Sequence, residues 1–213
     1  MQEQFDRSAG VLMPVSSLPG PYGIGTFGKK AYEFVDNLVK ARQKYWQVLP
    51  LGPTSFGDSP YASFSAFAGN PYFIDLDMLI EEGLLTKEFV DSKRWNIEDQ
   101  YVDYGLVYNS RFEVLRVAYE NSNHKELDEY KEFFTENEFW LEDYSLYRAC
   151  KDKYEGRPWS EWDKEIKFRE AETVGAFKEE LKDDMDFYKF IQFKFNEQWC
   201  KLKEYANENG ILI

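Results

Sequence analysis

Between Gly10 and Leu49 the chain runs through an apolar segment, a helical stripe and a second apolar segment, an order that restricts the fold more than any other feature. Gly10-Val11-Leu12-Met13, closed by Pro14, reads as a buried strand. Ala31, Phe34, Val35, Leu38 and Val39 recur at i, i+3, i+4, i+7 and i+8, which puts one apolar stripe on a helix running to about Lys44. Tyr45 to Leu49 reads as the next strand. Strand, helix, strand over this length predicts a βαβ unit with a right-handed crossover between parallel strands covered by helices. Two strands cannot complete such a sheet. Ile211-Leu212-Ile213, placed after an Asn209-Gly210 helix stop, reads as the opening of a third.

From Asp77 to Asn207 the pattern is helical. Aromatic and aliphatic residues recur at helix spacing in four runs, from Tyr108 to Tyr119, Leu127 to Phe134, Trp140 to Tyr147 and Phe187 to Leu202. Ser160 with Asp163 three residues on resembles a capping box. The organisation expected is a βαβ part over 1–76, a helical insertion over 77–207 and the start of a strand over 208–213.

Aromatic residues make up 18% of the chain, and outside one loop their helical spacing predicts ordinary core packing. With 26 basic and 39 acidic residues the formal charge is −13, which repels nucleic-acid phosphate and anionic lipid. The first residues lack a basic stretch followed by an apolar run, and no segment reaches bilayer-spanning length, so the expectation is a soluble cytoplasmic protein. Cys150 and Cys200 lie in helical patterns without metal-ligand spacing and are expected as buried thiols. His124, the only histidine, sits in a polar stretch and is expected on the surface; alone it cannot build a multi-histidine metal site or a histidine triad. No cofactor or metal is expected.

Two loops remain. Pro14 to Gly28 is dense in Pro and Gly and predicts a fixed surface loop. Within it Gly23-Ile24-Gly25-Thr26-Phe27-Gly28 matches G-x-G-x-x-G. Nine residues separate it from the strand, and the next strand ends in Leu49-Pro50-Leu51 without an acid, so a dinucleotide site is rejected. Tyr45 to Tyr72 joins a strand to a long aromatic loop whose prolines and glycines fix the backbone. Rings such as Tyr61 suit the apolar face of a pyranose, and Asp58, Ser59, Ser63, Ser65 and Asn70 add hydrogen-bonding groups. Spacing alone leaves packing and binding as alternatives. Position at the C-terminal end of a parallel strand favours binding.

These residues also resemble a known family, the 4-α-glucanotransferases (amylomaltases, glycoside hydrolase family 77). The segments Ser16 to Gly25, Tyr45 to Pro53, Gly57 to Tyr61 and Ser65 to Pro71 carry the resemblance in order. Trp140 to Tyr144 and Gly210-Ile211 extend it across the chain. The resemblance implies an α/β fold, the N-terminal part of a (β/α)8 TIM barrel comprising two strands and the start of a third, with a large, mostly helical insertion. It also implies transfer of α-1,4-glucan segments between maltooligosaccharides by retaining double displacement. Tyr61 would stack on the sugar at the cleavage subsite and Ser59 would bind the neighbouring glucose, supported by Asp58. Phe56 and Tyr108 would form a second glucan site. Phe56 stands where the family has tyrosine, keeping the stacking face and losing the hydroxyl.

The family's nucleophile, acid/base and supporting carboxylates match nothing before Ile213, so no catalytic residue is expected here, and the missing part of the barrel becomes an expected partner. A chain of this kind is expected to be inactive alone, since the chemistry needs two carboxyl groups about 5 to 5.5 Å apart. Only Asp58, Asp75 and Asp77 lie in or near the loop. A noncatalytic glucan-binding fragment, an inert truncation product and a hydrolase of the related α-amylase clan stand as alternatives.

Overall fold

The computed structural model describes residues 7–55, 57–98 and 100–213. Strand β1 (Gly10–Leu12) lies parallel to β2 (Tyr45–Gln47), with Gly10 opposite Tyr45 and Leu12 opposite Gln47. Helix α1 (Lys29–Lys40) connects them and buries Ala31, Val35 and Leu38. Phe34 lies at the stripe's edge, its ring 5.0 Å from that of Trp46, while Val39 is exposed. The helix ends earlier than its sequence pattern suggests. Gln43 N–H bonds to the Leu38 carbonyl, Arg42 N–H bonds to the Val39 carbonyl, and Arg42 adopts φ 55°, a left-handed stop built without glycine.

β2 pairs on its other side with the chain's last residues. Trp46 N–H donates to the Leu212 carbonyl and Leu212 N–H to that of Lys44, both at 2.9 Å, and Tyr45 bridges Leu212 in parallel. The third strand is therefore present as one bridge. Trp46 is buried and its indole N–H donates to the Met13 carbonyl at 2.8 Å, tying the exits of the two strands. Helices α2 (Leu76–Glu81), α3 (Lys87–Asp91), α4 (Tyr104–Glu120), α5 (Asp128–Lys153), α6 (Lys164–Lys167), α7 (Ala171–Glu180) and α8 (Lys182–Glu208) follow. None of the described helices is long and apolar enough to cross a membrane.

The chain divides into two compact units, one of residues 1–121 with 194–213, the other of residues 122–193. α2 to α4 thus belong with the strands, and the separate helical unit is shorter than the 77–207 segment marked by periodicity. In the first unit the late part of α8 packs on the loop before α1, with Phe195 and Trp199 placing their rings 5.2 and 5.4 Å from Phe27. Gln198 is fully buried, accepting from Asp75 N–H at 2.6 Å and donating to the Asp75 carbonyl at 3.1 Å. α4 sends Arg111 into the core, where it donates to the Ile74 carbonyl at 2.7 Å and faces the Trp95 ring. Burial brings this guanidinium down to about 10, against the pull of the Asp75 charge.

Two expectations fail in this framework. The Pro14 to Gly28 loop is not a surface loop: Tyr22, Ile24 and Thr26 to Gly28 are buried. Its glycines serve close approach, since a β-carbon at Gly25 would overlap the Val15 carbonyl and one at Gly28 the Asp75 carboxylate. A short 3₁₀ turn, Val15–Ser17, also forms inside it. Cys200 is exposed, lying on the outer face of α8, whereas Cys150 is buried as expected and burial raises its thiol to about 11.

In the second unit, two clusters form the core. Leu146, Cys150, Trp162, Ile166, Leu181 and Met185 make one, and Tyr130, Phe133, Leu141 and Phe193 the other. His124 is not solvated; it is 4% exposed, with its ring edge-on to Tyr130 at 4.7 Å and 5.1 Å from Phe190. Ser122 Oγ meets its Nδ1 at 2.7 Å. Asp163 forms no capping box with Ser160, because its carboxylate accepts from the Tyr154 hydroxyl at 2.7 Å instead.

Candidate functional site

Both strands release their chains toward one cleft. Pro14 and Val15 leave β1, Leu49 to Leu51 leave β2, and Asp58, Asn70 and Tyr104 are among the other residues that line it. The enclosed space is about 30 Å³, room for a water rather than a sugar ring, so a sugar has to be met on the open surface.

That surface is a turn held at its base. Thr54 and Ser63 form an antiparallel bridge, Ser55 N–H donates to the Ala62 carbonyl at 3.0 Å, and Asn70 N–H donates to Leu51 at 2.8 Å. Gly57 and Asp58 turn the chain with φ 88° and 53°. Aspartate tolerates this left-handed backbone better than most residues. Its carboxylate also accepts from Thr54 Oγ1 at 3.3 Å across the turn. Ser59 Oγ accepts from Tyr61 N–H at 3.3 Å, which fixes the backbone that carries the tyrosine. The Tyr61 ring is 74% exposed. Further on, Ser65 Oγ accepts from the N–H groups of Phe67 and Ala68, and Asn70 accepts from Tyr72 N–H at 3.0 Å, so the return of the loop is pinned by its own side chains.

The structure brings Asp58, Ser59 and Tyr61 together on this single turn. Phe56 lies outside the described residues. Tyr108 sits on a different element, α4, where it is 46% exposed with its ring 4.9 Å from Phe112. The other two acids near the loop are engaged elsewhere. Asp75 is buried, accepting from Thr26 Oγ1 at 2.6 Å and capping α2 through Met78 N–H at 3.1 Å. Asp77 accepts from the Tyr22 hydroxyl, which also accepts from Lys87. Burial first, then the Asp77 contact, raises the Tyr22 phenol to about 12.

Tyr104 escaped the sequence reading. It opens α4 behind the Asp103 cap, lines the same cleft as Asp58, and has its phenol raised by burial and by the Asp58 charge. Its sequence signal is only a tyrosine after an N-cap, which says nothing of a tertiary neighbour. Among the described residues, no group of three or more His, Cys, Asp or Glu gathers as a metal would require.

Residues 13–213 match the glycoside hydrolase family 77 described as 4-alpha-glucanotransferase. The chain belongs to this family. It is 52% identical over 201 residues to the 4-alpha-glucanotransferase of Clostridium butyricum, covering 94% of this chain and 41% of that protein. To the Thermus thermophilus 4-alpha-glucanotransferase it is 42% identical, covering 99% of this chain and 42% of the relative. Among solved structures, the amylomaltase from Streptococcus agalactiae in complex with acarbose superposes with TM-score 0.91 at 41% identity, covering 97% of this chain and 42% of that one. The amylomaltase from Corynebacterium glutamicum, at 16% identity and TM-score 0.70, shares the fold, over 96% of this chain and 29% of its own. The chain thus spans about 41% of the length of the first of these family 77 relatives.

Proposed function

We propose that this chain supplies the sugar-binding part of a 4-α-glucanotransferase that moves α-1,4-glucan segments between maltooligosaccharides by retaining double displacement. The observation that carries the reading is the Tyr61 ring, exposed on a turn braced by Ser59 and Asp58, beside the exits of two parallel strands in a family 77 chain. A flat ring held this way matches the apolar face of a glucose unit, and the Ser59 hydroxyl beside it offers a hydrogen bond to the neighbouring sugar. Asp58 acts as a brace, because its carboxylate is tied to Thr54. Tyr108 belongs to a second, outer contact with the glucan, together with Phe56. The strand pair is taken as the opening of a (β/α)8 barrel, whose ligands meet the C-terminal ends of its strands.

Double displacement requires a nucleophilic carboxylate and a proton-donating one about 5 to 5.5 Å apart. Asp75 is buried against Thr26 and the start of α2, and Asp77 is hydrogen-bonded to Tyr22, so we assign both catalytic acids to sequence outside this chain. The test is maltotriose disproportionation followed by chromatography. It would use the 213-residue chain alone and the chain joined to the complementary part of the Clostridium butyricum relative. Glucose and longer maltooligosaccharides are expected from the joined protein only, and their loss in its Tyr61→Ala variant supports the stacking role. Products from the short chain alone would overturn the assignment of the acids.

A further inference from the structure

The second unit holds a cavity that the transfer chemistry does not use. It measures about 150 Å³ and lies between α5 and the segment that follows it, walled by Leu146, Tyr147, Trp159, Trp162 and Ile166, with Lys167 and Arg169 among its lining. A cavity of this size takes a six-membered ring. Its rings are fixed by one another: Trp162 stacks on Tyr154 at 5.3 Å and 13°, and lies 5.6 Å from Tyr147. The Trp162 indole N–H donates to the Arg157 carbonyl at 3.2 Å. Trp159, by contrast, is 57% exposed, a large flat ring beside an unfilled apolar space.

The polar part of the lining can serve a polyol. Lys167 Nζ donates to the Ser160 carbonyl at 3.0 Å, and Arg169 pairs with Asp143 at 2.6 Å. An ammonium carries three donors and a guanidinium five, so each keeps N–H groups for sugar hydroxyls. The Asp143 and Ser160 contacts hold both cations in place, and the Asp143 carboxylate offsets the Arg169 charge.

We propose that this cavity is a glucan-holding site, in which Trp159 stacks on a glucose unit and Lys167 and Arg169 bind its hydroxyls. It rests on the α-glucan reading above, and gives the polymer an anchor on the helical unit in addition to the Tyr61 turn. The experiment is a calorimetric titration of the 213-residue chain with maltoheptaose, repeated on Tyr61→Ala, Trp159→Ala and Arg169→Gly. Arg169 has φ 58°, so glycine there removes the guanidinium while easing the backbone, and thermal melting of each variant reports whether its fold is kept.

Expected are weak saturable binding that survives Tyr61→Ala, a loss of about tenfold for Trp159→Ala, and a smaller loss for Arg169→Gly at an unchanged or higher melting temperature. Trp159→Ala binding as tightly as the parent, binding abolished by Tyr61→Ala, or no binding by the parent would each overturn the site. The transferase reading is judged separately by the maltotriose assay, which none of these outcomes decides.

Discussion

Two loops leave the same ends of β1 and β2, and their sequences read alike, each rich in Pro, Gly and aromatic residues. The first, through Tyr22 to Gly28, is packed into the core, its glycines touching backbone and carboxylate where a methyl group has no room. The second is anchored at its base, where Gly69 lies against the Phe195 ring, and open at its tip, where nothing lies within 4 Å of a β-carbon built on Gly57. At Gly25 and Gly28 glycine answers a steric demand, and at Gly57 a demand on backbone handedness. Composition does not separate a loop that seals the fold from one that displays a ring; the neighbours do.

The largest effect that would test this contrast is expected from Gly25→Ala, whose methyl must displace the Val15 carbonyl. We expect a loss of about 3 kcal/mol or more in denaturant unfolding, and a loss under about 1 kcal/mol would mean the first loop is not packed as described. Thr26→Val keeps the shape but removes the buried donor to Asp75, and should cost about 1–3 kcal/mol. At the tip of the second loop, Gly57→Ala should cost only about 1 kcal/mol, all from its φ of 88°. Smallest is Tyr61→Ala, expected within about 0.5 kcal/mol of the parent in stability while removing maltotriose turnover in the joined protein. A Tyr61 variant that unfolds would erase the distinction between the loops.

Alkaline titration sharpens the contrast. Tyr22 has its phenol raised from 10.0 to about 12 in the folded chain, so its contribution is complete below the unfolded value and lost as pH rises through the folded one. Stability should therefore fall between about pH 10 and 12, and Tyr22→Phe should flatten part of that fall in urea midpoints measured across the range. An unchanged slope in the variant would show that the first loop does not hold this phenol.

The parallel strands and the long helices were legible because period and length are local properties. The helix end at Gly210, with its left-handed φ of 76°, was legible from Asn209-Gly210, whereas Arg42, Glu155 and Arg169 take the left-handed stop without a glycine signal. His124 misled because its sequence neighbours are polar while Tyr130 and Phe190 enclose its ring. In the candidate site, Asp58, Ser59 and Tyr61 were legible from a family motif confined to one turn. Tyr104 was not, since only tertiary folding carries it to Asp58.

The Gln198 amide has a consequence for time. It binds both backbone groups of Asp75 across 123 positions, so the entry to α2 waits for a helix made far later. At translation speeds of about 5–20 residues per second, that separation corresponds to roughly 6 to 25 seconds of waiting on the ribosome. At the end of that interval, once residue 193 has been added, residues 122–193 hold all the partners of their own core clusters while the strand-bearing unit is still unfinished. Nascent chains arrested before Gln198 should be cut readily near Tyr22 to Gly28 by a protease, and chains arrested well after it should resist. The molecule's first-made part is thus its last to close.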